Sequence, residues 1–228
     1  MKFLGHLDLM RYFQKAVRRA QIDICYSEGY SPHQIMSFAA PLGVGITSDG
    51  EYFDIEVNST MNTKQALEAL NATMVEGIEV TGYVALPDNA KTAMAIVAAA
   101  DYRLTFKEGY ESPCSTLEWQ EHIRTLFSEQ DSFTILKKTK KSEREVDLKP
   151  LVYKLSVEED ENGKPAFFLQ VSTGSIDNIK PELVLASLYE KLGYTYDERA
   201  IQIHRLEVYT REDAGALVSL LNLGTPIE

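Results

Sequence analysis

The apolar positions of the chain fall into two successive groups of similar outline. Over residues 7–20, Leu7, Met10, Phe13, Val17 and Ala20 recur every three or four residues, the period of one helical face. The spacing predicts a helix with Arg11, Lys15 and Arg18 on a shared opposite face at i, i+4 and i+7. Gly29 and Pro32 mark residues 26–33 as a loop, and 34–39 reads as a short strand. Tyr52, Asp54 and Glu56 alternate with Phe53, Ile55 and Val57, the pattern of a half-buried strand. Asn62 or Thr63 can cap a helix reaching Met74, with Ala66, Leu67, Leu70 and Met74 inward. Residues 78–84 read as a strand, and Leu86-Pro87-Asp88-Asn89 closes the first group.

Residues 90–99 form a small-residue link. The second group opens with an alternating strand over 102–107. Ser115 or Thr116 then caps a helix carrying Leu117, Trp119, Ile123 and Phe127. A strand follows over 133–138, and Pro150 argues against an uninterrupted strand over 147–155. Asn162-Gly163 predicts a type I′ hairpin turn joining 155–159 to 166–173. A helix from 178–181 to Leu192 is ended by Gly193, and 204–209 is the last strand. The expected fold is α+β: two tandem ferredoxin-like (βαββαβ) domains, over 1–89 and 90–228. The first lacks or shortens its N-terminal strand, because the chain opens almost directly into the helix. The second carries a hairpin insertion.

The length of 228 residues suits two domains, and 44% apolar residues suffice for buried cores. No apolar stretch approaches the roughly 20 residues of a membrane span, and the N-terminus lacks a signal peptide's apolar core. A cytoplasmic protein without membrane contact is expected. The net charge of −11 opposes non-specific attraction to nucleic acid, but the charge is uneven. Within residues 1–40, Lys2, Arg11, Lys15, Arg18 and Arg19 outnumber Asp8, Asp23 and Glu28. A second basic run is Lys137, Lys138, Lys140, Lys141 and Arg144. It could track a nucleic-acid backbone or guard an exposed strand edge against aggregation.

Cys25 and Cys114 are the two cysteines, and they form no CxxC pair. Structural zinc and iron–sulfur clusters usually take four ligands, so no metal or cofactor is expected for this chain alone. The sequence has no P-loop, no Gly-x-Gly-x-x-Gly and no Gly-x-Ser-x-Gly. Gly43-Val44-Gly45 lacks a third glycine and a following helix. His6 opens the first helix, where unpaired N–H groups suit an anion. It is a candidate general base toward a ribose hydroxyl, or with Asp8 simply a helix cap. His33 shares a loop with Ser31, which fits either anion binding or ordinary turn chemistry. His122 falls on a solvated helix face and His204 at the start of a strand. Thr173-Gly174-Ser175 precedes a helix and could cradle a phosphate on backbone N–H groups, or be only a turn and cap.

Several stretches taken together resemble one family. They are Lys2-Phe3-Leu4-Gly5-His6-Leu7-Asp8, Tyr26-Ser27-Glu28-Gly29-Tyr30-Ser31-Pro32-His33 and Ser37-Phe38-Ala39-Ala40-Pro41-Leu42-Gly43-Val44-Gly45. Glu51-Tyr52-Phe53-Asp54, Glu145-Val146-Asp147-Leu148-Lys149-Pro150 and the segment from Thr173-Gly174-Ser175 to Lys180-Pro181-Glu182 complete the set. This resembles the radical SAM-linked family, a bacterial domain of unknown function found beside, or fused to, radical SAM proteins. Family members usually carry a short strand before the Phe3–His6 stretch, so the resemblance implies a truncated or late-assigned start. It also implies a radical SAM protein as partner, with this chain presenting the substrate, RNA or another anion. At the level of fold alone, paired ferredoxin-like domains with an early histidine also look like CRISPR repeat-processing endoribonucleases. Three functions are therefore expected in descending order: an accessory substrate-binding protein, a metal-independent endoribonuclease using His6, and a scaffold subunit without substrate contact.

Overall fold

A computed structural model describes residues 3–138, 143–174 and 177–228. It is mixed α+β, with five α-helices and several sheets among the described residues. The chain forms two compact units. One comprises the chain up to Val97 together with Val208–Glu228, and the other is Ala98–Glu207.

The first unit opens with α1 (His6–Arg19). Its apolar stripe turns Phe13, Ala16 and Val17 inward, while Leu7, at the exposed end of the stripe, stays in solvent. Gln21 holds the left-handed position after the helix (φ 57), where glycine is usual. The strands are short: β1 (Asp23–Ile24), β2 (Met36–Phe38), β3 (Thr47–Ser48), β4 (Phe53–Ile55) and β5 (Val57–Ser59). β2 pairs antiparallel with β4 and β1 with β5. Next come α2 (Thr63–Asn71), whose Gln65 N–H donates to the Asn62 side chain at 2.9 Å, and α3 (Ala93–Ile96). Val17, Ala20, Ile22, Ile24, Ala66 and Leu70 make the core between these elements, and Phe13, Phe38 and Phe53 stack beside it.

The second unit begins in β6 (Val97–Phe106) and runs through α4 (Thr116–Ile123), extended by a π-turn over Arg124–Ser128. A reciprocal cap starts α4. Ser115 Oγ accepts the Glu118 N–H, and Glu118 accepts the Ser115 N–H at 2.7 Å. Then follow β7 (Thr134–Lys138), β8 (Glu143–Asp147), β9 (Val152–Glu159), β10 (Pro165–Ser172), α5 (Pro181–Lys191) and β11 (Ile201–Arg211). The strand order within the unit is β11-β6-β10-β9, with β10 antiparallel to both neighbours. Among the described residues β7 and β8 pair only with each other. Trp119, Phe167, Leu169, Val184, Leu185 and Leu188 fill the core.

The chain then returns to the first unit. There β12 (Leu217–Ser219) pairs with the end of β11, and Thr225 bridges Ala85. Gly224 approaches that bridge so closely that a Cβ on it would lie 2.4 Å from Val84 Cγ2 and 2.9 Å from the Ala85 oxygen.

Three expectations from the sequence are corrected. Residues 78–84 are not a strand. The Asn71 side chain pairs with both the N–H and the carbonyl of Val80 (2.8 and 2.9 Å), which replaces the ladder a strand would need. The alanine-rich link is not a spacer, because its end is α3 and the first part of β6, with Ala99 and Ala100 fully buried. The turn at Asn162-Gly163 is not type I′, which needs positive φ at both central residues. Only Gly163 has it (φ 72). The Asp160 carboxylate accepts from the N–H groups of Asn162 and Lys164 at 2.8 and 2.9 Å, giving an Asx-stabilised turn with glycine at the left-handed position.

Asp54 on β4 offers a pH-dependent test of the packing. Its carboxylate accepts the Ala93 N–H at 2.6 Å, and burial, outweighing that bond, pushes the carboxyl above the usual aspartate range. A group that holds its proton more tightly when folded stabilises the fold at low pH. That contribution is lost as pH rises from the ordinary aspartate value through the raised one. Asp54→Asn keeps an acceptor for Ala93. It is expected to be more stable than the parent at neutral pH and to lose the parent's decline across that window. Urea midpoints measured at steps from acid to neutral pH check this, and parallel pH profiles for the two proteins would contradict it.

Candidate anion-binding surface

Burial of Phe13, Ala16 and Val17 fixes the rotation of α1 and so leaves Arg11, Lys15, Arg18 and Arg19 exposed. Their commitments differ. Arg11 lies 3.8 Å from Asp8 in a loose, exposed pair, of a kind that contributes little. Arg19 donates to the Thr73 carbonyl at 3.3 Å. The side chains of Lys15 and Arg18 have no hydrogen bond or ion pair among the described residues. The expected row of cations is therefore present, with two of its members uncommitted.

The 26–34 loop is closed at its base by a Tyr26–Gln34 bridge and by the Ser27 N–H to the His33 carbonyl at 2.8 Å. Gly29 sits at φ 107 near the tip, where a side chain would be strained. Ser27 Oγ accepts the His33 N–H at 3.1 Å and lies 2.8 Å from His33 Nδ1. Ser31 and His33 are exposed. Gln34 anchors the loop: it is 6% exposed and donates to the Gln14 carbonyl of α1 at 3.2 Å. This contact brings the His33 loop against the helix that carries Arg11, Lys15 and Arg18.

Two residues of this surface have no role in the sequence reading. Tyr30 is wholly exposed at 111% and Tyr26 at 49%. The only signal was a pair of tyrosines flanking the loop glycine, and tyrosine is intermediate between core and surface residues.

His6 is the first residue of α1, and Gly5 holds the cap position without a side-chain bond, so His6 and Asp8 do not cap the helix. The His6 ring stands edge-on to Phe38 at 5.4 Å. Its Nδ1 is buried and unpartnered among the described residues. Cys25 Sγ donates to Asn58 Oδ1 at 3.2 Å. Burial, with Glu56 and Asp23 nearby, pushes its thiol up.

The second basic run falls on the β7–β8 hairpin of the other unit. The register sets Lys137 opposite Arg144 and Lys138 opposite Glu143, so acidic positions share the hairpin with the basic ones. Lys140, Lys141 and Ser175 lie outside the described residues. No group of three His, Cys, Asp or Glu side chains among the described residues could hold a metal, and no described helix is long and apolar enough to cross a membrane.

The arrangement defines an α+β protein with a cationic helix face beside an aromatic loop. Residues 1–181 match a family described as an uncharacterized protein conserved in bacteria (DUF2344), and the chain belongs to that family. No curated protein matches it.

Proposed function

We propose that this protein binds single-stranded RNA, or a similar polyanion, through α1 and the 26–33 loop, and holds it for a separate radical SAM enzyme. The carrying observation is that Lys15 and Arg18 are uncommitted cations on the helix whose Gln14 anchors a loop bearing Tyr30 and His33. Exposed cations beside exposed aromatic rings suit a single strand, whose phosphates and unpaired bases need one of each. The radical SAM partner follows from the sequence resemblance. We also read the two halves as ferredoxin-like. The β11-β6-β10-β9 order, with a helix after β6 and another after β10, supports this for the second half. A sheet of that kind gives a rigid base for presenting a strand.

The test is a salt titration of binding to short single-stranded RNA. Each neutralised phosphate contributes about 0.7 to the log–log slope for single strands. Contacts from Arg11, Lys15 and Arg18 therefore predict a slope near −2 or steeper. Absence of RNA binding at low salt removes the reading, and co-purification with a radical SAM protein in the absence of RNA binding would favour a scaffold role.

A further inference from the structure

A second aromatic–cation constellation lies on the sheet of the second unit. Residues alternate across this sheet. Phe167 and Leu104, paired across β10 and β6, face the helices, since Trp119 of α4 meets Phe167 edge-on at 5.1 Å. Their neighbours Phe168 and Arg103 are also paired across the two strands, and they project from the opposite face. On that face Lys154 of β9 places its ammonium 4.8 Å from the centre of the Phe168 ring. Ser156 is the direct partner of Phe168, and Gln170 that of Lys154.

Three features set this group apart from an ordinary sheet surface. Phe168 is only partly buried although it sits on a central strand. Arg103 and Lys154 on either side of it are both exposed. Among the described residues neither side chain has a hydrogen bond or an ion pair, and that of Lys154 has only its contact with the ring. An aromatic ring between two uncommitted cations matches an unpaired nucleobase and its adjoining phosphates. The base would lie on the ring in place of the ammonium, and Lys154 and Arg103 would swing to the phosphates on either side. Stacking on a ring is sequence-tolerant, because every base has a π-face. An antiparallel sheet is an established kind of platform for such stacking.

We propose that the face formed by Arg103, Lys154 and Phe168 is a nucleobase-stacking subsite for a single strand. The proposal rests on the RNA-binding reading above and extends it to a specific contact in the second unit. It is tested by measuring the affinity of the full chain for a short mixed-sequence single-stranded RNA and for an abasic strand of equal length. Phe168→Leu removes the ring and keeps an apolar side chain, whereas Phe168→Tyr keeps a ring. Loss of one stacked base is expected to weaken Phe168→Leu binding to the RNA about 5- to 100-fold. Its binding to the abasic strand should match the parent's, and Phe168→Tyr should bind both strands as the parent does. A Phe168→Leu variant with unchanged urea midpoint and parental RNA affinity overturns the subsite while leaving the α1 surface standing. Equal weakening on both strands also overturns it, because the lost contact would then not be to a base. If the parent protein binds neither strand, the RNA-binding reading itself fails.

Discussion

Trp119→Ala is expected to cost the second unit about 3–5 kcal/mol, the range for truncating a large buried aromatic. Trp119 is fully buried. It meets Phe167 at 5.1 Å, Tyr189 at 5.2 Å and Tyr194 at 6.4 Å, and its indole N–H donates to Ser112 Oγ at 2.9 Å. Alanine leaves a cavity between α4 and the sheet and removes the indole bond to Ser112, whose hydroxyl keeps its bond to the Cys114 carbonyl at 2.7 Å. A domain of this size has roughly 5–15 kcal/mol in total, so the loss is a large share of it. Urea unfolding followed by far-UV circular dichroism should show an early transition in the variant. Trp119→Phe, which refills most of the space, should lie between the variant and the parent. The parent can be followed by fluorescence as well, because Trp119 is the sole tryptophan. A variant midpoint equal to the parent's would contradict this account of the core.

Replacing Arg11, Lys15 and Arg18 together by glutamine is expected to weaken RNA binding about 10²- to 10³-fold at 50 mM salt. This follows from three lost phosphate contacts at about 0.7 log–log units each. The salt slope should become shallower by about 2 at the same time. The coupled change matters, because damage to the fold would reduce the amount of active protein without altering the slope. The fold should survive: the three side chains are exposed, and among the described residues their only ion pair is the loose Arg11–Asp8 contact. Equal urea midpoints for parent and variant check that directly. Weaker binding with the parental slope would mean that these cations do not meet phosphates.

How far the sequence was legible depended on where each element's interactions lie along the chain. α1, α2 and α4 were readable because periodic burial and caps act within a few residues: Asn62 caps α2 and Ser115 caps α4 as their positions imply. The 78–84 stretch was misread because its apolar residues do enter the core, Val80 and Tyr83 among them. Its backbone partners, however, are a side chain of α2 and, at Ala85, the distant Thr225. The early part of β6 was hidden because alanine carries little strand preference, and close packing of Ala99 and Ala100 decides it. The cation row on α1 was visible as a spacing. The loop's place beside it was not, because it depends on one bond from Gln34 to a backbone carbonyl twenty residues earlier. The exposure of Tyr30 follows from that docking, and no local pattern announces it.

Photo-crosslinking of bound single-stranded RNA, with the adducts mapped by mass spectrometry of the full chain, locates the strand directly. Adducts on residues 11–33, with Tyr26 or Tyr30 prominent, are the expected result. Crosslinked RNA with no adduct anywhere in that segment would contradict the assignment of the binding surface.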